Sequence, residues 1–302
     1  MTMAVEQNSN TGVSFRSHSK ARFKPRNLGR LASLYPITIV LGIIFMFPFV
    51  WSVASSLKTP AEMYAYPPIL FPARPQFMNY VTAFTMFPFA TWYRNTIFVT
   101  VLNTAGVVFT SSLVAYGFAR FDFRLKNAIF MVTLATMMLP SQVSLIPRFI
   151  LFHDIGWINT LQPLWVPAWF GGSAFAIFLI RQFILTLPRE LDEAAIIDGA
   201  GYFRIFWTIL VPLCKPALAT LAILTTIANW NDFLDPVIFL QSPSKFTVAI
   251  GIWFFKSQEF STHMTDHLLM AAAVTSVIPP IALFFAFQRY FVQGIVLSGL
   301  KE

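Results

Sequence analysis

The sequence predicts an all-α membrane protein with six transmembrane helices and one short helix outside the membrane between spans four and five. Of its 302 residues, 56% are hydrophobic and 11% are charged, whereas soluble domains carry about a quarter charged residues. Six apolar runs each reach the roughly 20 residues that a helix needs to cross a bilayer, and none alternates like a transmembrane strand. The surface of the folded chain must therefore face lipid or partner subunits.

A polar and basic tail over residues 1–30 precedes the first run. It resembles the charged start of a signal peptide, but the apolar run behind it is too long for a signal core and lacks a small-residue cleavage site. We therefore expect a disordered cytoplasmic tail over 1–30 and a transmembrane domain over 31–302.

The six predicted spans contain several prolines, which membrane helices tolerate where neighbours satisfy the freed backbone groups. Pro140 in the third run, and Pro279 with Pro280 in the sixth, are clear cases. The runs lie near 31–53, 95–119, 128–149, 164–187, 213–239 and 268–292.

The distribution of Lys and Arg predicts the orientation, because cytoplasmic loops carry an excess of both. With a cytoplasmic N-terminus, 15 of the 21 Lys and Arg residues fall on the cytoplasmic side. Both termini are therefore predicted to be cytoplasmic. Residues 58–80, with five prolines, are expected to form an extended, turn-rich external loop, and residues 252–267 the last external loop.

The residues needed for a catalytic, metal or nucleic-acid site do not stand out. The single Cys214 excludes a cysteine-based metal site, and His263 and His267 lack a zinc pattern, so we interpret both as polar loop residues. We find no nucleophile–base set and no phosphate-binding glycine loop. The basic residues flank apolar runs instead of covering a soluble face, which argues against nucleic acid. We predict no catalytic residue, no metal and no cofactor bound by this chain.

Residues 190–216, ELDEAAIIDGAGYFRIFWTILVPLCKP, begin with four of the thirteen acidic residues of the chain. Glu190, Asp192 and Glu193 suit the first turn of a helix that Thr186 would cap, with Pro188 beside it. Gly199 would end the helix, because glycine readily adopts positive φ. A second helix is expected near Tyr202, with an apolar stripe formed by Tyr202, Ile205, Phe206 and Ile209. From the residues alone, an ordinary acidic loop and a protein-docking element are equally good interpretations.

This stretch resembles the cytoplasmic signature loop of permease subunits in ABC importers: Glu-Ala-Ala, two residues, Asp-Gly-Ala, and further on Pro-Leu-Cys-Lys-Pro. Segments such as NTIFVTVLNT, AYGFARFDF, MLPSQVSLIP and WNDFLDPVIFL resemble the carbohydrate, maltose-permease-like branch. The likeness runs from about residue 30 to the end of the chain.

The resemblance implies a permease subunit of an ATP-driven carbohydrate importer in the inner membrane of a prokaryote. A second permease subunit would complete the pathway, two ATP-binding cassette ATPase subunits would dock on the signature loops, and an extracytoplasmic solute-binding protein would deliver the sugar. ATP and Mg would be held by the ATPase subunits. The 188–212 segment would be the coupling loop, and its 188–201 part the coupling helix. The coupling residues would be Glu193, Ala194, Ala195, Asp198, Gly199 and Ala200.

Two external features have more than one interpretation. In WNDFLDP, Trp230 would stack on a sugar ring while Asn231 and Asp232 bond its hydroxyls, or the cluster anchors a helix end at the membrane interface. By resemblance, the 252–267 loop reaches into the binding protein, or it is a plain connector. The competing functions are a secondary transporter, which would show repeats and acids near the midplane, and a membrane enzyme. The sequence does not identify the carbohydrate.

Overall fold

The structure is a computed structural model that describes the backbone of residues 28–259 and 265–299 and the side chains of residues 35–257 and 265–288. Over the described backbone the chain contains helices and no strand. It divides into two units, Met1–Phe49 and Val50–Glu302, and the packing below concerns the second. The predicted tail lies outside the described residues except for residues 28–30.

The helices differ widely in length, from one turn to more than thirty residues. They are α1 (Leu28–Ser56), α2 (Pro60–Met63), α3 (Met78–Met86), α4 (Phe89–Arg120), α5 (Lys126–Ala135), α6 (Leu145–Asp154), α7 (Gln162–Trp165), α8 (Ala174–Leu185), α9 (Glu190–Ile197), α10 (Tyr202–Ile205), α11 (Val211–Leu213), α12 (Lys215–Trp230), α13 (Leu234–Phe239), α14 (Val248–Glu259) and α15 (Asp266–Gly299). Short 3-10 turns cover Thr136–Met138, Val166–Trp169 and Pro243–Lys245, and a π-helical segment covers Phe206–Leu210.

Among the described residues, four helices are long and apolar enough to cross a membrane. They are Tyr35–Ser56, Phe89–Arg120, Gln162–Leu185 and Asp266–Gln288. A fifth candidate is the pair Tyr202–Leu213 and Lys215–Trp230, which is bent by 77°. These five correspond to predicted spans one, two, four, six and five, and they agree with an all-α membrane protein.

The third predicted span, 128–149, is not one continuous helix. The helix α5 and its 3-10 turn end at Met138, and α6 starts only at Leu145. Leu139 is extended, with φ −82° and ψ 120°, because the ring of Pro140 disfavours the helical conformation for the residue before it. The fifth predicted run is also interrupted, since α12 ends at Trp230 and α13 follows after a short gap.

The segments predicted to be external are more helical than the sequence suggested. The expectation of a loop over 252–267 is wrong for its first half, because α14 extends to Glu259 and buries Phe255. The expectation that His267 is a polar loop residue is also wrong, because it lies buried in the first turn of α15. His263 lies outside the described residues. The 58–80 segment is turn-rich as predicted, although Thr59 and Glu62 form a capping box on α2.

The helices α4 and α8 lie side by side and parallel at the centre of the second unit. Thr110 Oγ1 donates to Ala168 O (2.9 Å) in the 3-10 turn that leads towards α8, and Arg181 Nε of α8 donates to Phe118 O (3.3 Å). Residue numbers therefore rise together along both helices, so Arg120 and Leu187 meet at one end of the bundle. The core beneath this end includes side chains from α4, α8, α10 and α12: Ala115, Ile180, Ile184, Ile205 and Leu221.

Candidate functional site

The first candidate site is α9, which follows α8 at the end of the bundle where Arg120 lies. Glu190, Asp192 and Glu193 occupy its first turn, where the positive end of the helix dipole stabilises acidic groups. The prediction that Thr186 caps this helix is wrong. Thr186 ends α8 instead, and its hydroxyl donates to Phe183 O at 2.7 Å, because α9 begins only at Glu190, beyond its reach.

An ion pair fixes the start of α9 to the end of α4. Arg120 Nε lies 2.5 Å from Asp192 Oδ2, and the two side chains are 6% and 13% exposed. Arg120 also donates through Nη2 to the carbonyl oxygens of Leu187 (3.2 Å) and Pro188 (3.4 Å). Burial raises the pKa of the Asp192 carboxyl, and the Arg120 guanidinium opposes that shift. One arginine therefore ties together α4, the α8–α9 connection and α9.

A Schellman motif fixes the end of α9. Gly199 has φ +79°, as predicted from its position. The Gly199 N–H donates to Ile196 O and the Ala200 N–H to Ala195 O, both at 2.9 Å, which satisfies carbonyls that the helix end would leave free. Ala195 and Ala200 pack against the core, so these two predicted coupling residues face inward.

The opposite face of α9 is exposed. Glu190, Glu193, Ala194 and Ile197 lie on it, because these positions fall on one side of a helix with 3.6 residues per turn. Ile197 is 85% exposed, and Phe203 just beyond the turn is 72% exposed. Exposed apolar groups clustered beyond the ends of the spans are typical of a protein contact. Neither residue was among the predicted coupling residues. For Ile197, two consecutive isoleucines at the end of a short helix outside the spans could have indicated an exposed apolar contact.

The predicted stripe on the second helix is only partly correct. Ile205 and Phe206 are buried, but Tyr202 is 59% exposed. The π-helical segment adds a residue to the turn, so Leu210 is the fully buried residue of the next turn while Ile209 packs at the edge of the core.

Residues 108–297 match the family described as the binding-protein-dependent transport system inner membrane component. The chain belongs to this family. It is therefore a multi-pass inner-membrane component of a transport system. This agrees with the resemblance of the sequence to permease subunits of carbohydrate importers.

Curated relatives match this inner membrane component over nearly its whole length. The arabinooligosaccharides transport system permease protein AraQ of Bacillus subtilis is 33% identical over 267 residues, covering 87% of this chain and 93% of that protein. The melibiose/raffinose/stachyose import permease protein MelC of Bacillus subtilis is 31% identical over 279 residues, covering 90% and 98%. The sn-glycerol-3-phosphate transport system permease protein UgpE of Yersinia enterocolitica is 33% identical over 270 residues, covering 87% and 95%.

A solved structure has the same fold. A chain in the crystal structure of a bacterial ABC transporter involved in the import of the acidic polysaccharide alginate superimposes with a TM-score of 0.77 at 23% identity. The match covers 90% of this chain and 100% of that chain.

The second candidate site of the inner membrane component lies around Trp230. This side chain is 8% exposed, and its Nε1 donates to Ser276 O at 3.0 Å. Ser276 lies four residues before Pro280, which has no N–H to offer that carbonyl. Trp230 thus satisfies a backbone group that proline leaves free in α15. Its side chain also lines an apolar cavity of about 160 Å³ with Thr226 and Pro279, and its assignment to the substrate pathway stays a prediction.

The two polar neighbours of Trp230 are placed differently. Asn231 is exposed, and its amide donates to Ile227 O at 2.8 Å. Asp232 lines a cavity of about 10 Å³ together with Thr96 and Asn229, which is far below the roughly 300 Å³ of a small-molecule pocket. Their assignment to the substrate pathway stays a prediction.

An ion pair near this cavity was not predicted. Arg148 of α6 lies 2.5 Å from Asp235 of α13, with both side chains 30% exposed. The guanidinium also lies 5.4 Å from the centre of the Phe239 ring. The pair joins the two short helices that follow the breaks in predicted spans three and five. Within the described residues, no group of three or more His, Cys, Asp or Glu side chains is placed to hold a metal ion.

Proposed function

We propose that the chain is the transmembrane subunit of an ATP-driven importer and that it forms, with a second permease subunit, the pathway for a carbohydrate. An extracytoplasmic binding protein would deliver the sugar. The names of AraQ and MelC refer to the transport of oligosaccharides, which supports a carbohydrate substrate. A structural neighbour with a TM-score of 0.60 was crystallised with an alginate pentasaccharide-bound periplasmic protein, which supports a binding-protein partner.

The observation that supports the coupling proposal is that α9 is fixed to the bundle at both of its ends while its outer face is exposed. Asp192 binds Arg120 at its start, and the Gly199 turn closes its end. Glu193, Ala194 and Ile197 remain exposed on the outer face. Such a helix suits contact with an ATPase subunit, because a docked partner would move it as a unit.

The same contacts give two routes for transmitting that movement. Arg120 is the last residue of α4, so displacement of α9 would act directly on the long central span. Beyond Gly199, α10 and the π-helical segment lead into the bend before α12. ATP and Mg would be bound and hydrolysed on the partner ATPase subunits, while this chain converts their closure into movement of α4 and α12.

The test is charge inversion on the outer face of α9. We expect Glu193→Lys to lower sugar uptake at least about tenfold and to abolish stimulation of ATP hydrolysis by loaded binding protein, because a like charge would face the basic group expected on the ATPase. Asp154→Lys, an exposed inversion at the end of α6, is the matched control and should leave both unchanged. Wild-type uptake and stimulation in Glu193→Lys would refute the coupling assignment.

A further inference from the structure

A basic pocket that the coupling proposal does not use lies where α4, α5 and α8 meet. Its volume is about 430 Å³, within the range of small-molecule sites. Three cationic side chains and one carboxylate line it, namely Lys126, Arg181, Arg189 and Asp122. The pocket therefore carries a net positive charge and suits an anionic group.

Two of the three cations are held in place by the fold, while Arg189 is exposed at the rim. Arg181 donates through Nε to Phe118 O at 3.3 Å, and its guanidinium lies 4.2 Å from the centre of the Phe130 ring. The Lys126 side chain is only 16% exposed, and its Nζ lies 3.0 Å from Asp122 Oδ1, whereas the Asp122 side chain is 80% exposed. The pocket is thus a preformed cluster of positive charge with its one carboxylate at the rim.

The pocket lies where the headgroup region of a bilayer is expected. It lies at the ends of two candidate spans, Phe89–Arg120 and Gln162–Leu185, and at the start of the apolar helix α5. Basic pockets between transmembrane helices at this level bind the headgroups of anionic lipids.

An apolar groove continues from this pocket between α5 and α8. Leu125 and Ala128 line both, and from there the groove runs along Ile129, Val132 and Ile177 with a volume of about 430 Å³. A free phosphate ion would use the charged pocket alone. A ligand with a charged head and a hydrocarbon chain would fill both.

We propose that this site binds an anionic phospholipid, with its phosphate between Arg181, Arg189 and Lys126 and one acyl chain in the groove between α5 and α8. The bound lipid would fill the gap between a short, proline-terminated helix and the central pair of spans. Arg189 immediately precedes α9, but the proposal uses none of the exposed residues on the outer face of that helix and does not depend on the transported substrate.

The experiment measures lipid retention by the full-length chain in an uncharged detergent, using native mass spectrometry with phosphatidylglycerol and phosphatidylcholine of identical acyl chains. We expect preferential retention of phosphatidylglycerol. Arg181→Gln and Arg189→Gln should each lower it about fivefold, while Asp122→Asn should raise it because the opposing charge is removed. Arg204→Gln, at an exposed arginine of α10 outside the pocket, is the control and should change nothing.

Three further measurements separate the lipid from other occupants. Ala128→Trp would block the junction of pocket and groove and should lower lipid retention. Inorganic phosphate should compete with the remaining lipid as well in this variant as in the wild-type chain, because the charged pocket is unchanged. Equal retention of the two lipids by the wild-type chain would overturn the proposal. So would full displacement of the lipid by inorganic phosphate at millimolar concentration, which would indicate a phosphate-only pocket, or loss of the lipid when ATPase subunits bind, which would indicate a protein contact. The lipid-retention measurements contain neither ATP nor sugar, so their outcome is independent of the uptake and ATPase assays that test the coupling proposal.

Discussion

Single residues fix the two ends of α9, and Gly199 is the clearest of them. A Cβ atom at Gly199 or at Gly201 would meet no atom within 4 Å, so space does not distinguish the two positions. The backbone does, because Gly199 has φ +79° and Gly201 has φ −72°. The turn at Gly199 therefore depends on conformational freedom and not on packing.

We predict that Gly199→Ser uncouples ATP hydrolysis from binding protein while Gly201→Ser does not. Serine in the left-handed region costs roughly 1–2 kcal/mol, whereas serine at position 201 occupies a helix N-cap that favours it. The measurement is the ratio of stimulated to basal hydrolysis in proteoliposomes of the assembled transporter. The same ratio in the two variants would show that the positive φ at Gly199 is not needed for coupling.

Arg120 is the second residue whose substitution should have a large effect on stability. Arg120→Met would leave the Asp192 carboxylate buried without its partner, and breaking a buried pair costs about 3–5 kcal/mol. Burial is the main cause that raises the Asp192 pKa, and loss of the Arg120 guanidinium removes the largest opposing charge, so the folded state binds a proton more readily than the unfolded state. The stability of the variant should then increase as the pH falls through the raised pKa of Asp192, and decrease as the pH rises through it.

The measurement is the melting temperature of the purified chain between pH 5 and pH 8. Arg120→Met should melt lower than the wild type, with the smaller deficit at the acidic end. Adding Asp192→Leu should recover part of the loss at neutral pH, because the double variant buries no unpaired charge. A deficit that does not vary with pH and is not reduced in the double variant would contradict this account.

At the scale of elements, the two prolines of α15 illustrate how a long helix stays continuous through residues that lack an N–H. Pro279 and Pro280 both lie inside α15. The carbonyl of Ser276 accepts from Trp230 Nε1 at 3.0 Å, so α12 supplies the donor that Pro280 cannot. Partners of this kind explain why membrane helices tolerate internal proline.

We predict that Trp230→Phe lowers the melting temperature by removing this donor, at a cost of roughly 0.5–2 kcal/mol. Pro280→Ala in the same background should restore much of the loss, because the new N–H can donate to Ser276 O. Trp253→Phe, at a tryptophan that is 50% exposed, is the control. If Pro280→Ala gives no recovery in the Trp230→Phe background, the freed carbonyl is not what Trp230 stabilises.

The elements and the site differ in how far the sequence predicted them. Long apolar runs and the Gly199 turn were predictable because both depend on local composition and backbone preference. The break at Pro140 was missed, because whether a proline kinks or ends a membrane helix depends on neighbours that the sequence does not show. The partner of Asp192 was missed for a similar reason, since Arg120 lies at the end of a different helix and only tertiary packing brings the two together.

At the scale of the whole molecule, the parallel arrangement of α4 and α8 constrains the path of the chain. The chain leaves α4 at Arg120 and returns before α8 beside the middle of α4, where Asn103 donates to Leu164 O at 2.8 Å, about 25 Å back along the helix axis. Two parallel neighbours require the connecting segment to cross back between them. We therefore predict that the broken segment from α5 to α6 traverses the membrane once, although neither helix alone is long enough to span it.

The last prediction tests this crossing and the orientation together. Three crossings between residues 66 and 197 would place Tyr66 and Ile197 on opposite sides, whereas two would place them on the same side. Both side chains are well exposed, at 95% and 85%, while the single native Cys214 is buried and is replaced by alanine to remove background labelling. In right-side-out vesicles, a membrane-impermeant maleimide should label Tyr66→Cys at once and Ile197→Cys only after permeabilisation. Labelling of both in intact vesicles would mean that the α5–α6 segment turns back without crossing. Labelling of Ile197→Cys alone would preserve the crossing but reverse the orientation, and would place α9 out of reach of a cytoplasmic ATPase.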